Sequence, residues 1–236
     1  MKKYLAIFLL TSSVALAIIG IVKPTPPSYI LSDDFEETNT GGGLGTGTDG
    51  FDDAQINTLG GTVDQDYTGV VLAGAQSLRF TTAGAIARYI LTSTRTNIDF
   101  YFQYRPVTLP ASGSAILFEA TQAGGAGSSP VTVYLYSTGQ LKIFNGSSGG
   151  SQTVSTMSAG TTYCVWGHWE NGGTASVAFA VKTGSEIRPT SGNNYDSVSG
   201  GNGTQAIERP VLESPSTEGI HDRFRITAGA LIPSIP

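Results

Sequence analysis

Asp99-Phe100-Tyr101-Phe102-Gln103-Tyr104-Arg105-Pro106-Val107 is the stretch that decides the fold class. Read as an extended chain, it places Phe100, Phe102 and Tyr104 on one side and Tyr101, Gln103 and Arg105 on the other. No segment of the chain carries a helical apolar period over a useful length.

Working outward, strand-like runs recur. Residues 29–36, 77–81 and 85–91 come before the quoted stretch, and 115–121, 131–137, 140–145, 161–170, 174–182, 205–212 and 220–227 follow it. Asn171-Gly172-Gly173 and Ser137-Thr138-Gly139-Gln140 read as hairpin turns. Residues 39–50, 147–150 and 191–203 read as loops, the last too polar to be core. Charged residues make up only 13% of the chain and Gly supplies 31 of 236 positions, which favours many short strands joined by Gly-rich turns. The expectation is an all-β protein: a two-sheet antiparallel sandwich over residues 29–230, with a tail at 231–236.

The N-terminus bears on the compartment. Lys2 and Lys3 precede an apolar run over residues 4–22, with Ala15-Leu16-Ala17 offering a cleavage site inside it. As a helix the run would span ~28 Å, about one hydrocarbon core. Residues 1–22 are thus a signal peptide or an uncleaved signal anchor helix, and either exports the remainder. Residues 23–28 contain Pro24, Pro26 and Pro27 and read as an extended linker. The expected location is secreted or cell-surface, virion surfaces included, with membrane contact only through an uncleaved segment. The net charge of −5, with no Lys/Arg cluster beyond Lys3, argues against a nucleic-acid partner. Cys164 is the sole cysteine, so it forms no intrachain disulfide and reads as a buried small hydrophobe.

Several segments carry a family resemblance. They are Leu31-Ser32-Asp33-Asp34-Phe35-Glu36, Gln76-Ser77-Leu78-Arg79-Phe80 with Asp66-Tyr67 before it, the run Tyr101 to Val107, Ser137-Thr138-Gly139-Gln140-Leu141, and the closing Asp222-Arg223-Phe224-Arg225-Ile226. Together, and in this order, they resemble the concanavalin A-like lectin/glucanase superfamily, especially laminin G-like jelly-roll domains of bacterial and phage-associated genomes. The resemblance implies a jelly roll with its first and last strands adjacent. It also implies one structural Ca²⁺ there, with Asp222 matching the closing-strand carboxylate and Asp34 or Glu36 adding oxygens. The alternative for Asp222 is an ion pair with Arg223, Arg225 or Arg79, or a turn at a strand end.

Glycosidases on this fold carry paired carboxylates on one strand, and no such pattern occurs here. Asp33-Asp34 and Asp52-Asp53 are adjacent, so each pair splits across strand faces. Glu119 is the one carboxylate in a mid-chain strand core. A lyase-like set of His168, Tyr134 and Arg105 lacks a supporting motif, so no catalytic residue is assigned. The expected function is carbohydrate binding without catalysis. Tyr101, Gln103, Arg105, Glu119, Tyr134, Tyr136, Trp166 and His168 would share one face, with rings to stack on sugars and polar groups to take hydroxyls. The same rings also suit plain packing on a pleated surface, and His168 also suits a structural role. A structural or adhesion protein of a cell or virion surface predicts buried aromatics and an apolar patch for self-association. A glycan-cleaving hydrolase or lyase predicts a second acid near Glu119. Asn145-Gly146-Ser147 and Asn202-Gly203-Thr204 match the glycosylation sequon.

Overall fold

The computed structural model describes residues 28–36, 63–81, 86–122, 129–184, 186–201, 205–213, 218–230 and 232. The signal or anchor segment, the linker up to residue 27, the 39–50 loop, Asp52, Asp53, the Asn202 sequon and all of the tail but Ile232 lie outside the described residues.

Every regular element described is a strand. In chain order they are β1 (Tyr29–Asp33), β2 (Val63–Tyr67), β3 (Ser77–Phe80), β4 (Ile86–Arg88), β5 (Asn97–Pro106), β6 (Ser114–Gln122) and β7 (Val131–Tyr136). Then come β8 (Leu141–Asn145), β9 (Ser148–Gly149), β10 (Tyr163–Glu170), β11 (Thr174–Val181), β12 (Tyr195–Ser199), β13 (Ile207–Glu213) and β14 (Gly219–Thr227). Two antiparallel sheets result. One has eight strands in the order β12-β11-β10-β5-β14-β3-β2, with β1 also on β14; the other has six, β4-β13-β6-β7-β8-β9. The first and last strands pair, Leu31 opposite Ile226 and Asp33 opposite Phe224.

Alternation explains the core. The inward residues of β5 are Ile98, Phe100, Phe102 and Tyr104, and those of β10 include Tyr163, Val165 and Trp169. They meet Phe118 of β6, Val131, Val133 and Leu135 of β7, and Leu141 and Ile143 of β8. Phe100 stacks on Phe118 at a centroid distance of 4.0 Å, which joins the two sheets at their centre. His221 also faces this interior, 4.8 Å from the Tyr104 ring, and burial pushes its pKa down to about 3, so it packs as a neutral ring.

Gly167 makes room for this arrangement. It stands opposite Phe100 across the β5–β10 ladder, and a Cβ there would lie 1.8 Å from Phe100 Cζ. Since Phe100 is wedged against Phe118, its ring has little freedom to yield. Gly167→Ala is expected to cost about 1–3 kcal/mol of stability. A urea titration checks this, and an unchanged midpoint would contradict it.

Three strands depart from the sequence reading: β2, β9 and β12. The last lies inside the stretch 191–203, whose polarity suggests a loop. Asp196 of β12 is nonetheless 1% exposed, because its carboxylate accepts hydrogen bonds from Ile143 N (3.0 Å) and from Ser151 N (2.8 Å). It thereby ties the edge of the larger sheet to β8 of the smaller one. Asn145 is buried too. It accepts from Trp169 Nε1 at 3.1 Å and donates to Gly173 O, so this sequon has a structural role.

Candidate functional site

The structure divides the expected sugar-binding set between two sheets. Tyr101, Gln103 and Arg105 stand on β5 and Trp166 and His168 on β10, all on the outer side of the eight-stranded sheet. Glu119 of β6 and Tyr134 and Tyr136 of β7 stand on the outer side of the six-stranded sheet. The eight residues therefore point to opposite sides of the sandwich and do not form one face. The reason is topological: β6 and β7 pair with each other and with β13 and β8, never with β5 or β10.

Three of the first group, Tyr101, Gln103 and Trp166, are fully buried, while Arg105 and His168 are partly exposed. Tyr101, Cys164 and Trp166 are fully buried and cluster with Ile232, with Tyr29 and Ala180 packed around them. The Tyr101 hydroxyl contacts Cys164 Sγ at 3.3 Å, and Gln103 Nε2 donates to that hydroxyl at 3.3 Å. Burial is the main force pushing the Cys164 thiol up to about 11. Glu186 and Arg188 also reach this side: Cys164 Sγ contacts Glu186 Oε2 at 3.6 Å, and Arg188 donates to Asp99 at 2.8 Å and to Ser176 Oγ at 3.1 Å. His168 Nδ1 lies 3.3 Å from the same Asp99 carboxylate. Burial alone would raise the Asp99 pKa, but the hydrogen bonds with His168 and Arg188 prevail and hold it below the ordinary range. This fastens Arg188 to the outer side of β5 and β11.

The second group stays half-exposed. On the outer face of the six-stranded sheet, Val211 of β13 pairs with Arg88 of β4 on one side and Glu119 of β6 on the other. Glu119 in turn faces Thr132 of β7, which faces Phe144 of β8. In the adjoining row Tyr134 faces Lys142. The Tyr134 and Phe144 rings meet edge to face at 5.2 Å, and Lys142 Nζ sits 5.1 Å from the Phe144 centroid. Gly149 permits this: a Cβ there would fall 2.6 Å from Phe144 Cε1.

Glu213 stands two residues beyond Val211 in β13, close enough for the Glu119 charge to act on it. Burial first, then the Glu119 charge, push the Glu213 pKa up, with Arg88 opposing. Ser129 Oγ donates to Glu119 Oε2 at 2.7 Å. The Tyr134 hydroxyl is raised as well, by burial first and then by the charges of Glu119 and Glu213. Sequence reasoning names Glu119, Tyr134 and Tyr136 and misses Glu213, Phe144, Lys142 and Arg88. Phe144 had a signal: in Leu141-Lys142-Ile143-Phe144 it shares the outward phase with Lys142.

The residues proposed for calcium are engaged otherwise. Asp222 is fully buried, and its carboxylate accepts from Ser77 Oγ (2.8 Å), Ala73 N (2.9 Å) and Arg223 N (2.7 Å). Burial pushes its pKa up to about 7 against these bonds. Glu36 accepts from Ala75 N at 2.9 Å. Asp34, between them in role, acts on the Arg225 charge. N–H and O–H donors thus take up the Asp222 and Glu36 carboxylates, whereas a calcium ion would need those oxygens turned to it. Among the described residues no group of three or more His, Cys, Asp or Glu is placed to hold a metal. Asp222→Ala would strand Ala73 N and Ser77 Oγ of the 72–77 segment, and Arg223 N, and is expected to cost about 3 kcal/mol. Thermal melts check this. A calcium-dependent rise in Tm that disappears in the variant would contradict the reading.

No protein-family profile matches the chain. No curated protein matches it in sequence. Solved structures do match. A cellulose-induced protein, Cip1, superposes with a TM-score of 0.56 at 15% identity, over 86% of this chain and 100% of that one. The Trypanosoma rangeli sialidase gives a TM-score of 0.49 at 16% identity over 66% of this chain, and the Bacillus subtilis carbohydrate-binding module CBM66 gives 0.44 at 6% over 72%. The chain spans about a quarter of the length of the sialidases it matches, 25% in this case. At such identities the Cip1 match speaks for the β-sandwich fold.

Proposed function

We propose that the chain is an exported carbohydrate-binding module on a concanavalin A-like jelly roll, and that it binds glycans, without catalysis, on the outer face of its six-stranded sheet. The observation that carries this reading is the half-exposed Tyr134–Phe144 ring pair, on the same outer face as Glu119. Aromatic rings offer flat apolar surface to the C–H side of a pyranose, and carboxyl groups at its edge take hydroxyls, which is the mixture a sugar site needs.

Two other readings meet these facts. The surface-structural reading expects buried aromatics. Tyr101 and Trp166 are buried, but Tyr134 and Phe144 are not. The hydrolase reading expects a second acid near Glu119, and Glu213 is one. A carboxyl separation of ~5–5.5 Å or ~6.5–9.5 Å is what retaining or inverting hydrolysis needs, and assay of the chain against glycoside substrates separates that reading from binding.

A screen of the full chain against immobilised neutral and acidic oligosaccharides tests the proposal. Binding to a defined sugar class is the expected outcome. A well-folded chain that binds none would contradict it.

A further inference from the structure

Lys142 is a charge to which the fold gives no counter-charge. It stands on β8 directly opposite Tyr134 of β7, which in turn faces Ile116 of β6, and all three are half-exposed. Tyr136 and Phe144 flank this row and are half-exposed as well, so this is the open part of the outer face. Among the described residues the ion pairs use Arg79, His168, Arg188 and Arg209, and none uses Lys142. Its ammonium lies instead 5.1 Å from the Phe144 centroid, and the Phe144 ring meets that of Tyr134 at 5.2 Å. A cation held by a ring keeps its charge, and N–H donors remain for a ligand.

The backbone beneath is shaped to hold these groups. Gly149 of β9 pairs with Phe144, and a Cβ there would fall 2.6 Å from Phe144 Cε1 and 3.0 Å from Lys142 Cε. The ring and the lysine stem therefore both lie over bare backbone, which fixes where the ammonium stands. On the β6 side, diagonal to Tyr134, is Glu119, opposite Thr132 and held by Ser129 Oγ at 2.7 Å. Tyr134 thus has a carboxyl group towards β6 and an ammonium towards β8.

We propose that this patch takes an acidic sugar: the pyranose lies on Tyr134, its carboxylate or sulfate pairs with Lys142, and its hydroxyls turn towards Glu119. This inference rests on the glycan-binding reading above and adds the class of sugar. An anionic group meets the ammonium with a charge-assisted hydrogen bond and supplies the missing counter-charge, which a hydroxyl does not. Glu119 repels an anion from the β6 side, so the two charges together set the direction in which the sugar lies. The chain's net charge of −5 acts against anions only at long range, where salt screens it.

The test is isothermal titration of the full chain, at about 0.15 M salt, with two matched pairs of oligosaccharides. One pair is oligogalacturonate and its full methyl ester; the other is a cello-oligosaccharide and its sulfated form. In at least one pair the charged member is expected to bind about tenfold tighter than the neutral one, and the pair that shows this names the anion. In Lys142→Gln, whatever its absolute affinity, the ratio within that pair is expected to fall to near one, and Lys142→Arg to restore it. Circular dichroism checks that both variants fold. The wild-type chain alone supplies a second measurement, since added salt is expected to narrow the ratio. Equal or tighter binding of the neutral member in both pairs, a tenfold preference retained in Lys142→Gln, or a ratio unmoved by salt would overturn the acidic-sugar assignment. Binding to neutral sugars only in the oligosaccharide screen would overturn it too and leave glycan binding in place. A folded chain that binds no sugar at all would overturn both.

Discussion

Trp166→Ala is expected to lower the stability of the fold by about 3–5 kcal/mol and to leave sugar binding unaffected. The side chain is fully buried although it points away from the main core. Its ring lies 5.6 Å from that of Tyr101, and Cys164 and Ile232 complete the cluster. Truncation removes the indole from between these neighbours and leaves a cavity that strands on both sides resist closing. The site on the six-stranded sheet lies across the whole sandwich, beyond coupling distance for an ordinary packing defect. Urea unfolding gives the first number and a sugar titration of the folded variant the second. A small stability change together with lost binding would move the site to the eight-stranded sheet and contradict the account.

Tyr134→Ala should behave in the opposite way. The ring is half-exposed, and its inward neighbours in β7, Val133 and Leu135, carry the packing. The stability cost is therefore expected to be about 1 kcal/mol, the scale of a partly exposed cross-strand pair with Phe144. As a central aromatic on the binding face it should act as a hot spot. The expected loss is about 2 kcal/mol, or roughly 30-fold in Kd. Isothermal titration of both proteins with the same oligosaccharide measures it. Unchanged affinity would remove Tyr134 from the site.

Much of the fold was legible because β-structure writes itself with a period of two. The alternation in residues 99–107 sorts Phe100, Phe102 and Tyr104 inward, and the structure places them so. The hairpin turn at Gly139 was legible for a local reason: its φ of 83° is one that glycine adopts freely. Other features depended on contacts between distant parts of the chain. Nothing near Trp166 says that Tyr29 and Ile232, from the two ends of the chain, will pack around it, so buried and exposed faces of β10 look alike in sequence. The polar β12 is held by an Asp196 carboxylate that reaches backbone amides of another sheet. Asp222 matches a calcium pattern in sequence, yet the 72–77 segment brings it N–H and O–H donors. Glu119 was visible as a lone strand carboxylate. Its partner Glu213 was not, because the β6–β13 register that joins them cannot be read from either strand alone.

The central claim is that sugar lies on the outer face of the six-stranded sheet. Chemical-shift mapping of the isotopically labelled full chain during titration with a bound oligosaccharide tests it most directly. The account predicts that signals of Tyr134, Phe144, Glu119 and Glu213 move while those of Tyr101, Trp166 and His168 stay. Movement confined to the second group would contradict it.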